Sequence, residues 1–480
     1  MNLTTVLALG LVFVLGLSVA NGAGEKQEVK PPEGAPEYQA PPRPTDGVNM
    51  ALTVEKLEKG FDPDRPLLIW AIGSSFTNGL GDGTALVEMI RARFPNMPKV
   101  VYRKMAGNST SYHFAAGWAR HLVVPDQPDV VLLYNFGKTE DLETIITEIR
   151  RHTTADIIVG TLHWCVPHEK VWGQPDAPNS HQDPPAMRAM CAKYGVEFVE
   201  NRLEMTEYMV VNKLAIKSML RDSVHESPYA AKMTVMNIAR HFNKPEKFGY
   251  DPRSRERRVE AESEAVKKEG EWSEVEGGAA VATSRNGSSM TVAFTGKRID
   301  LIGWRSPDGG SAEVLIDGVP ADQLPVFYAG YILPDPKNAP KPPNPPRDRA
   351  PHRLTLGTNI VPQKWILSMT SDKGDCELVG SVTGADGKGN ARQPFTSNSG
   401  QIIVEPEYWR DAQFNRSGDK FTFEVYRCAV GIADFKGEKG KFRLTLAQNL
   451  TNGPHTLKLV TKGDDPAAVD CFDVFEPPLK

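Results

Sequence analysis

Between residues 66 and 242, short apolar runs alternate with stretches whose apolar positions recur at helical spacing. Residues 67–72, 100–105, 130–136, 157–162 and 196–199 read as strands, and residues 85–94, 142–152, 186–194 and 230–242 as helices between them. The run Val130-Val131-Leu132-Leu133-Tyr134 is continuously apolar, as expected of a parallel strand covered on both faces. Strands spaced by a crossover helix predict an α/β domain, a flavodoxin-like three-layer sandwich around a parallel sheet.

Beyond residue 250 the pattern changes. A charged stretch (residues 251–268) reads as a solvated linker or an edge strand. After it, apolar and polar residues alternate at 290–294, 299–303, 312–319, 421–426, 442–446 and 455–460, divided by Gly, Pro and Asp turns. This half predicts an all-β, jelly-roll-like sandwich, with residues 335–349 and 380–400 as long excursions from it.

The N-terminus adds two further segments. Residues 4–20 are apolar or small and end at Ser18-Val19-Ala20, which predicts a signal peptide over residues 1–23 and a secreted or periplasmic protein. The Pro-rich residues 24–50 carry too little apolar surface to order themselves and predict a disordered tether. The α/β domain is then expected over 51–250 and the β domain over 251–480. No other segment is long and apolar enough to insert stably in a membrane.

Composition narrows the partners. With 56 basic and 60 acidic side chains among 480 residues, nothing suggests the clustered basic surface that nucleic acid requires. The oligomeric state is not legible. Cys165 with Cys191, and two of Cys376, Cys428 and Cys471, are candidate disulfide pairs in an oxidising compartment, and no Cys-x-x-Cys occurs.

The chemistry concentrates in two places. The first predicted strand ends in Gly73-Ser74-Ser75-Phe76-Thr77-Asn78-Gly79, and a distant loop carries Asp222-Ser223-Val224-His225. A serine hydroxyl becomes a nucleophile only with a base in reach, and the base needs a partner that holds its tautomer. Ser75, His225 and Asp222 supply those types. Thr77 occupies the second Gly of a Gly-x-Ser-x-Gly elbow, so the pattern is not that of an α/β-hydrolase.

Over residues 66–242 the blocks resemble the SGNH, or GDSL-type, hydrolases. Gly73–Gly79 matches their first block with Ser74 in place of Asp, Ala106-Gly107-Asn108-Ser109 resembles the second, and Asp222-x-x-His225 is the last. The third, Gly-x-Asn-Asp, is replaced by Gly137-Lys138-Thr139-Glu140. The resemblance implies Ser75 as nucleophile, His225 as base and Asp222 as its orienting acid. It also implies an oxyanion hole of Ser75 and Gly107 backbone N–H groups, with the third donor at Thr139 by register or at Asn135 or Asn108 in space. No cofactor is implied.

The segment His163-Trp164-Cys165-Val166-Pro167-His168 reads as a strand-end loop rather than a metal site. Trp164, Trp172 and Asn108 are candidate substrate contacts. The expected reaction is removal of an acyl group, acetyl first, from a carbohydrate or another small ester. A lipase-like or aryl-ester hydrolase and a catalytically impaired glycan-binding protein are the alternatives.

Overall fold

A computed structural model describes residues 29–59, 65–106, 111–179, 182–332, 349–463 and 465–480. The expected signal peptide lies outside them. Five parallel strands, β1 (Leu67–Ile72), β2 (Val100–Met105), β3 (Val130–Leu133), β4 (Asp156–Gly160) and β5 (Glu197–Val199), form one sheet in the order β2-β1-β3-β4-β5. That is the doubly wound, flavodoxin-like order, with its switch point between β1 and β3.

Helices cover both faces. α1 (Ala51–Lys59), α2 (Thr84–Arg93) and α7 (Pro228–Arg240) close one side. α3 (Ser111–His113), which runs on into a π-helical stretch at Phe114–Val123, packs on the other with α4 (Thr139–His152) and α5 (Pro184–Tyr194). Every residue of β3 and β4 is buried, which is why their sequence, Asp156 apart, is apolar without alternation. α6 (Asn201–Val211) packs beside α7 around Trp164, Met205, Met209 and Met233.

Over its described residues, 29–50, the Pro-rich segment is not a tether. Residues 29–50 lie along the α/β domain, and Tyr38 is buried beside Tyr208 and Tyr229. Its backbone N–H donates to Tyr229 Oη at 2.7 Å and its hydroxyl to Asn237 Oδ1 at 2.6 Å. Arg43 pairs with buried Glu204, and Asp46 with Arg240. Composition missed this because one aromatic ring and two charges, not a run of apolar residues, do the anchoring.

The C-terminal half is all-β, in two bodies rather than one sandwich; of the two expected excursions, residues 335–348 lie outside the described residues. In the first, one sheet orders Val319–Pro320, Ser311–Ile316, Gly453–Thr461, Ser289–Gly296 and Val266–Glu269. It faces a second sheet ordering Gly440–Ala447, Arg298–Arg305, Ala467–Phe475, Ala280–Thr283 and Ser273–Val275. Their inner faces share one core built on Leu301, Val314, Leu459 and Phe472. The charged stretch enters this body as the edge strands Glu256–Glu260 and Val266–Glu269.

The second body has its own core around Trp365, Leu367, Phe421 and Phe423. Its sheet orders Phe327–Tyr331, Lys420–Arg427, Gln363–Met369, Asp375–Gly380 and Gly384–Asn390. The Gly-rich run expected as an excursion is therefore a strand. Its glycines make room for a ring: a Cβ at Gly389 would lie 2.4 Å from Phe395. All five cysteines are free and buried, so neither candidate disulfide forms.

Both β bodies grip the α/β domain. Lys56 of α1 bridges Asp129 at 2.6 Å and Glu256 at 2.9 Å, all three buried. His121, also buried, meets Ala329 and Leu354 of the second body.

Candidate active site

The carboxyl end of β1 is where ligands bind in such a sheet, and the chain turns there on Gly73. A Cβ on Gly73 would fall 2.1 Å from Thr77 Oγ1 and 2.8 Å from the Tyr134 carbonyl oxygen, so glycine alone fits. The next residues form a 3-10 turn, Ser75–Leu80, capped by Ser74, whose Oγ accepts the Phe76 N–H at 3.3 Å. Ser74 thus does an N-cap's work where the resembling family has Asp. Thr77 Oγ1 donates to the Tyr134 carbonyl at 2.6 Å, locking the turn against the end of β3.

The structure brings the three distant residues together. Ser75 Oγ lies 3.0 Å from His225 Nε2. His225 Nδ1 lies 2.9 Å from Asp222 Oδ2 and 3.2 Å from Asp222 Oδ1. The same carboxylate accepts the backbone N–H groups of His225 at 2.7 Å and Val224 at 2.8 Å. Those two N–H groups, and then the imidazole, hold Asp222 well below the usual carboxylate range, so it stays ionised and acceptor-only. With Nδ1–H given to Asp222, Nε2 is left as the acceptor facing Ser75.

The loop is fixed from beneath. An antiparallel bridge, Leu220 to Glu226, closes it, and Ser227 caps the helix that follows. His163 Nε2 donates to the Val224 carbonyl at 2.7 Å, while the Tyr134 hydroxyl donates to His163 Nδ1 at 2.9 Å. The Cys165 thiol also reaches the Val224 carbonyl, and the Val166 N–H donates to Ser223 O at 2.9 Å. Burial, with Glu226 nearby, pushes the Cys165 thiol up to about 12, so it is a neutral donor. The His163–His168 segment therefore serves as the floor of the His225 loop.

Buried Glu226 joins this floor, accepting from Thr234 Oγ1 at 2.5 Å. Phe76 packs its ring against His163, His225 and Phe136. Tyr134, His163 and Glu226 did not emerge from the sequence as site residues. Glu226 directly follows His225, which was the available signal. Tyr134 and His163 are ordinary strand-end residues until β3 and β4 are placed side by side.

The other expected site residues divide. Gly107 and Asn108 lie outside the described residues. Asn135, two residues past β3, is buried, and neither its Nδ2 nor its Oδ1 has a hydrogen-bond partner among the described residues. Its Cβ sits 3.2 Å from where a Gly73 Cβ would be, beside the turn that carries Ser75. A buried amide left unpaired in a polar site is poised for a group that arrives later. Thr139 instead opens α4, half-buried, with Phe136, Gly137 and Lys138 between it and Asn135.

Trp164 is not a substrate contact. It is wholly buried, its indole N–H donates to Thr206 Oγ1 at 2.7 Å, and the Arg202 guanidinium covers its ring at 4.6 Å. Trp172 packs against the same cluster. An apolar ring next to a strand end was taken up by the core.

The sheet order, Ser75 after β1 and the Asp222–His225 loop before α7 agree with one another. The fold is a doubly wound, flavodoxin-like α/β sheet followed by β bodies. No protein-family model and no curated protein matches the chain. Among solved structures, a two-domain esterase active on acetylated mannans aligns over 90% of this chain and 96% of its own, at 12% identity and a TM-score of 0.31. An acetylxylan esterase from Geobacillus stearothermophilus aligns over 41% of this chain and 98% of its own, at 15% identity and a TM-score of 0.29. At such low superposition, the case for this chain rests on its own residues.

Proposed function

We propose that the protein is a serine ester hydrolase that removes acyl groups, acetyl foremost, from a carbohydrate. The observation that carries this is the unbroken chain from Ser75 Oγ through His225 to Asp222, at 3.0 and 2.9 Å, at the carboxyl end of β1. Ser75 Oγ attacks the ester carbonyl while His225 Nε2 takes its proton. The tetrahedral intermediate collapses as His225 returns that proton to the leaving alcohol. Water then repeats the sequence on the acyl-enzyme, and Asp222 stabilises the imidazolium each time it forms.

The developing oxyanion is assigned to the backbone N–H groups of Ser75 and Gly107 and to the Asn135 amide. A donor of this kind is worth roughly 3–4 kcal/mol in the transition state. The Asp222 side chain is 47% exposed and that of His225 26%, so the leaving-group side is open. Such a surface site suits a bulky, polar alcohol better than a long apolar acyl chain. The signal peptide expected over residues 1–23 and the two appended β bodies favour a polysaccharide outside the cytoplasm as the source of that alcohol. Among the described residues no helix is long and apolar enough to cross a membrane.

Hydrolysis of 4-nitrophenyl acetate by the wild type and Ser75→Ala tests the nucleophile. Loss of roughly 10³-fold or more in kcat is expected; equal rates would refute the assignment. Acetate release from acetylated polysaccharides, set against long-chain acyl esters, then tests the substrate class.

A further inference from the structure

Outside the Ser75–His225–Asp222 triad, three metal-binding side chains from different parts of the chain converge. His113 ends α3 of the α/β domain, whereas His352 and Asp411 belong to the second β body. Their donor atoms all lie within 4.8 Å of one another. His113 Nε2 is 2.9 Å from Asp411 Oδ2, and His352 Nε2 is 4.0 Å from the same oxygen.

His352 makes this more than a hydrogen-bonded pair. It is completely buried, and neither Nδ1 nor Nε2 has a hydrogen-bond partner among the described residues. Its ring packs edge-on to His113 at 5.1 Å, to Trp118 at 5.4 Å and to Tyr112 at 5.6 Å, while its backbone N–H is satisfied by the Tyr408 carbonyl. An imidazole nitrogen sealed from water without a partner forfeits a hydrogen bond's worth of stability. Here it faces the one carboxylate that a second imidazole already holds.

We propose that His113, His352 and Asp411 bind a divalent transition-metal ion of the zinc type, clamping the second β body to the α/β domain. Zinc sits roughly 2.0–2.2 Å from imidazole nitrogen and carboxylate oxygen. Two of its ligand atoms in tetrahedral geometry therefore stand about 3.3–3.6 Å apart. The 2.9 and 4.0 Å separations bracket that range within about half an ångström, so small side-chain movements would close the site. Two imidazoles and one carboxylate suit zinc or its neighbours, while magnesium and calcium prefer all-oxygen sets. The fourth position falls to water. The Arg410 guanidinium, stacked 3.8 Å over Tyr112, approaches the other oxygen, Asp411 Oδ1, at 3.5 Å and leaves Oδ2 for the ion. This site is independent of Ser75, so its failure and that of the esterase reading are separable.

The test uses the full chain without a histidine tag, stripped with a chelator and dialysed against Zn²⁺ or Co²⁺. One equivalent of Zn²⁺ should be retained, and Co²⁺ should give the visible absorption of a low-symmetry nitrogen–oxygen site. Zn²⁺ should also raise the thermal unfolding midpoint. In His352→Gln and Asp411→Asn the affinity should fall at least roughly tenfold and the Co²⁺ band should disappear. The proposal is overturned if stripped wild type takes up neither ion. It is equally overturned if folded His352→Gln, checked by circular dichroism, binds as wild type does. Should neither variant fold, uptake and the Co²⁺ spectrum of the wild type decide alone.

Discussion

His163 Nε2 donates to the carbonyl oxygen of Val224 at 2.7 Å, so a residue at the end of β4 fixes the peptide immediately before the base His225. The bond sets the height of the loop on which Asp222 and His225 ride. An error of about 1 Å in a base's position can cost as much as a hundredfold in rate. His163→Ala should therefore lower kcat for 4-nitrophenyl acetate by about tenfold or more with KM little changed. His163→Gln, which can present an amide N–H to the same carbonyl, should recover much of the loss. Equal kcat in wild type and His163→Ala would show that the loop does not depend on this bond.

Asn135 and Thr139 make opposite predictions. Removing an amide that pairs with nothing among the described residues leaves no partner there stranded, so Asn135→Ala should hardly change the melting temperature. Its kcat should nevertheless drop roughly 10²–10³-fold, because the donor acts only when the oxyanion forms. Thr139→Ala should leave kcat as it is. The reverse pattern in steady-state kinetics would move the third oxyanion donor to α4.

The contact between the α/β domain and the second β body should depend on pH through His121. Its Nδ1 donates to the Ala329 carbonyl at 2.6 Å and its Nε2 accepts the Leu354 N–H at 3.1 Å, which admits only the neutral ring. Burial lowers its pKa from 6.5 to about 4. The unfolded chain binds this proton more readily than the folded one. The contribution is thus complete above about pH 6.5 and is lost as pH falls toward 4. Its ceiling is about 3 kcal/mol. Urea unfolding between pH 8 and 4.5 should show stability falling in that window, and a shallower fall in His121→Gln. Parallel curves for the two proteins would assign the decline to other groups.

The Pro-rich segment should behave as part of the α/β domain. Tyr38→Ala empties a buried aromatic site and strands Asn237, which should cost about 3–5 kcal/mol in urea unfolding. A tether would show no change.

The sequence by itself determined the periodicities and hence the two classes of structure. The short apolar runs at β3 and β4 fit strands buried on both faces, and the alternating segments after residue 250 fit half-buried ones. It also determined the three residue types at Ser75, Asp222 and His225, because Asp222 and His225 are local neighbours on one loop and Ser75 follows a strand. The tertiary structure alone decided what depends on distant contacts. Trp164 became core because α6 covers it, the Pro-rich segment became ordered because Glu204, Arg240 and Asn237 await it, and the Gly-rich run became a strand because Phe395 lies upon it. The same holds for the unpaired amide of Asn135 and for the meeting of His113 with His352 and Asp411. Local pattern records which face of an element is apolar; it does not record which residue outside that element will come to lie against it.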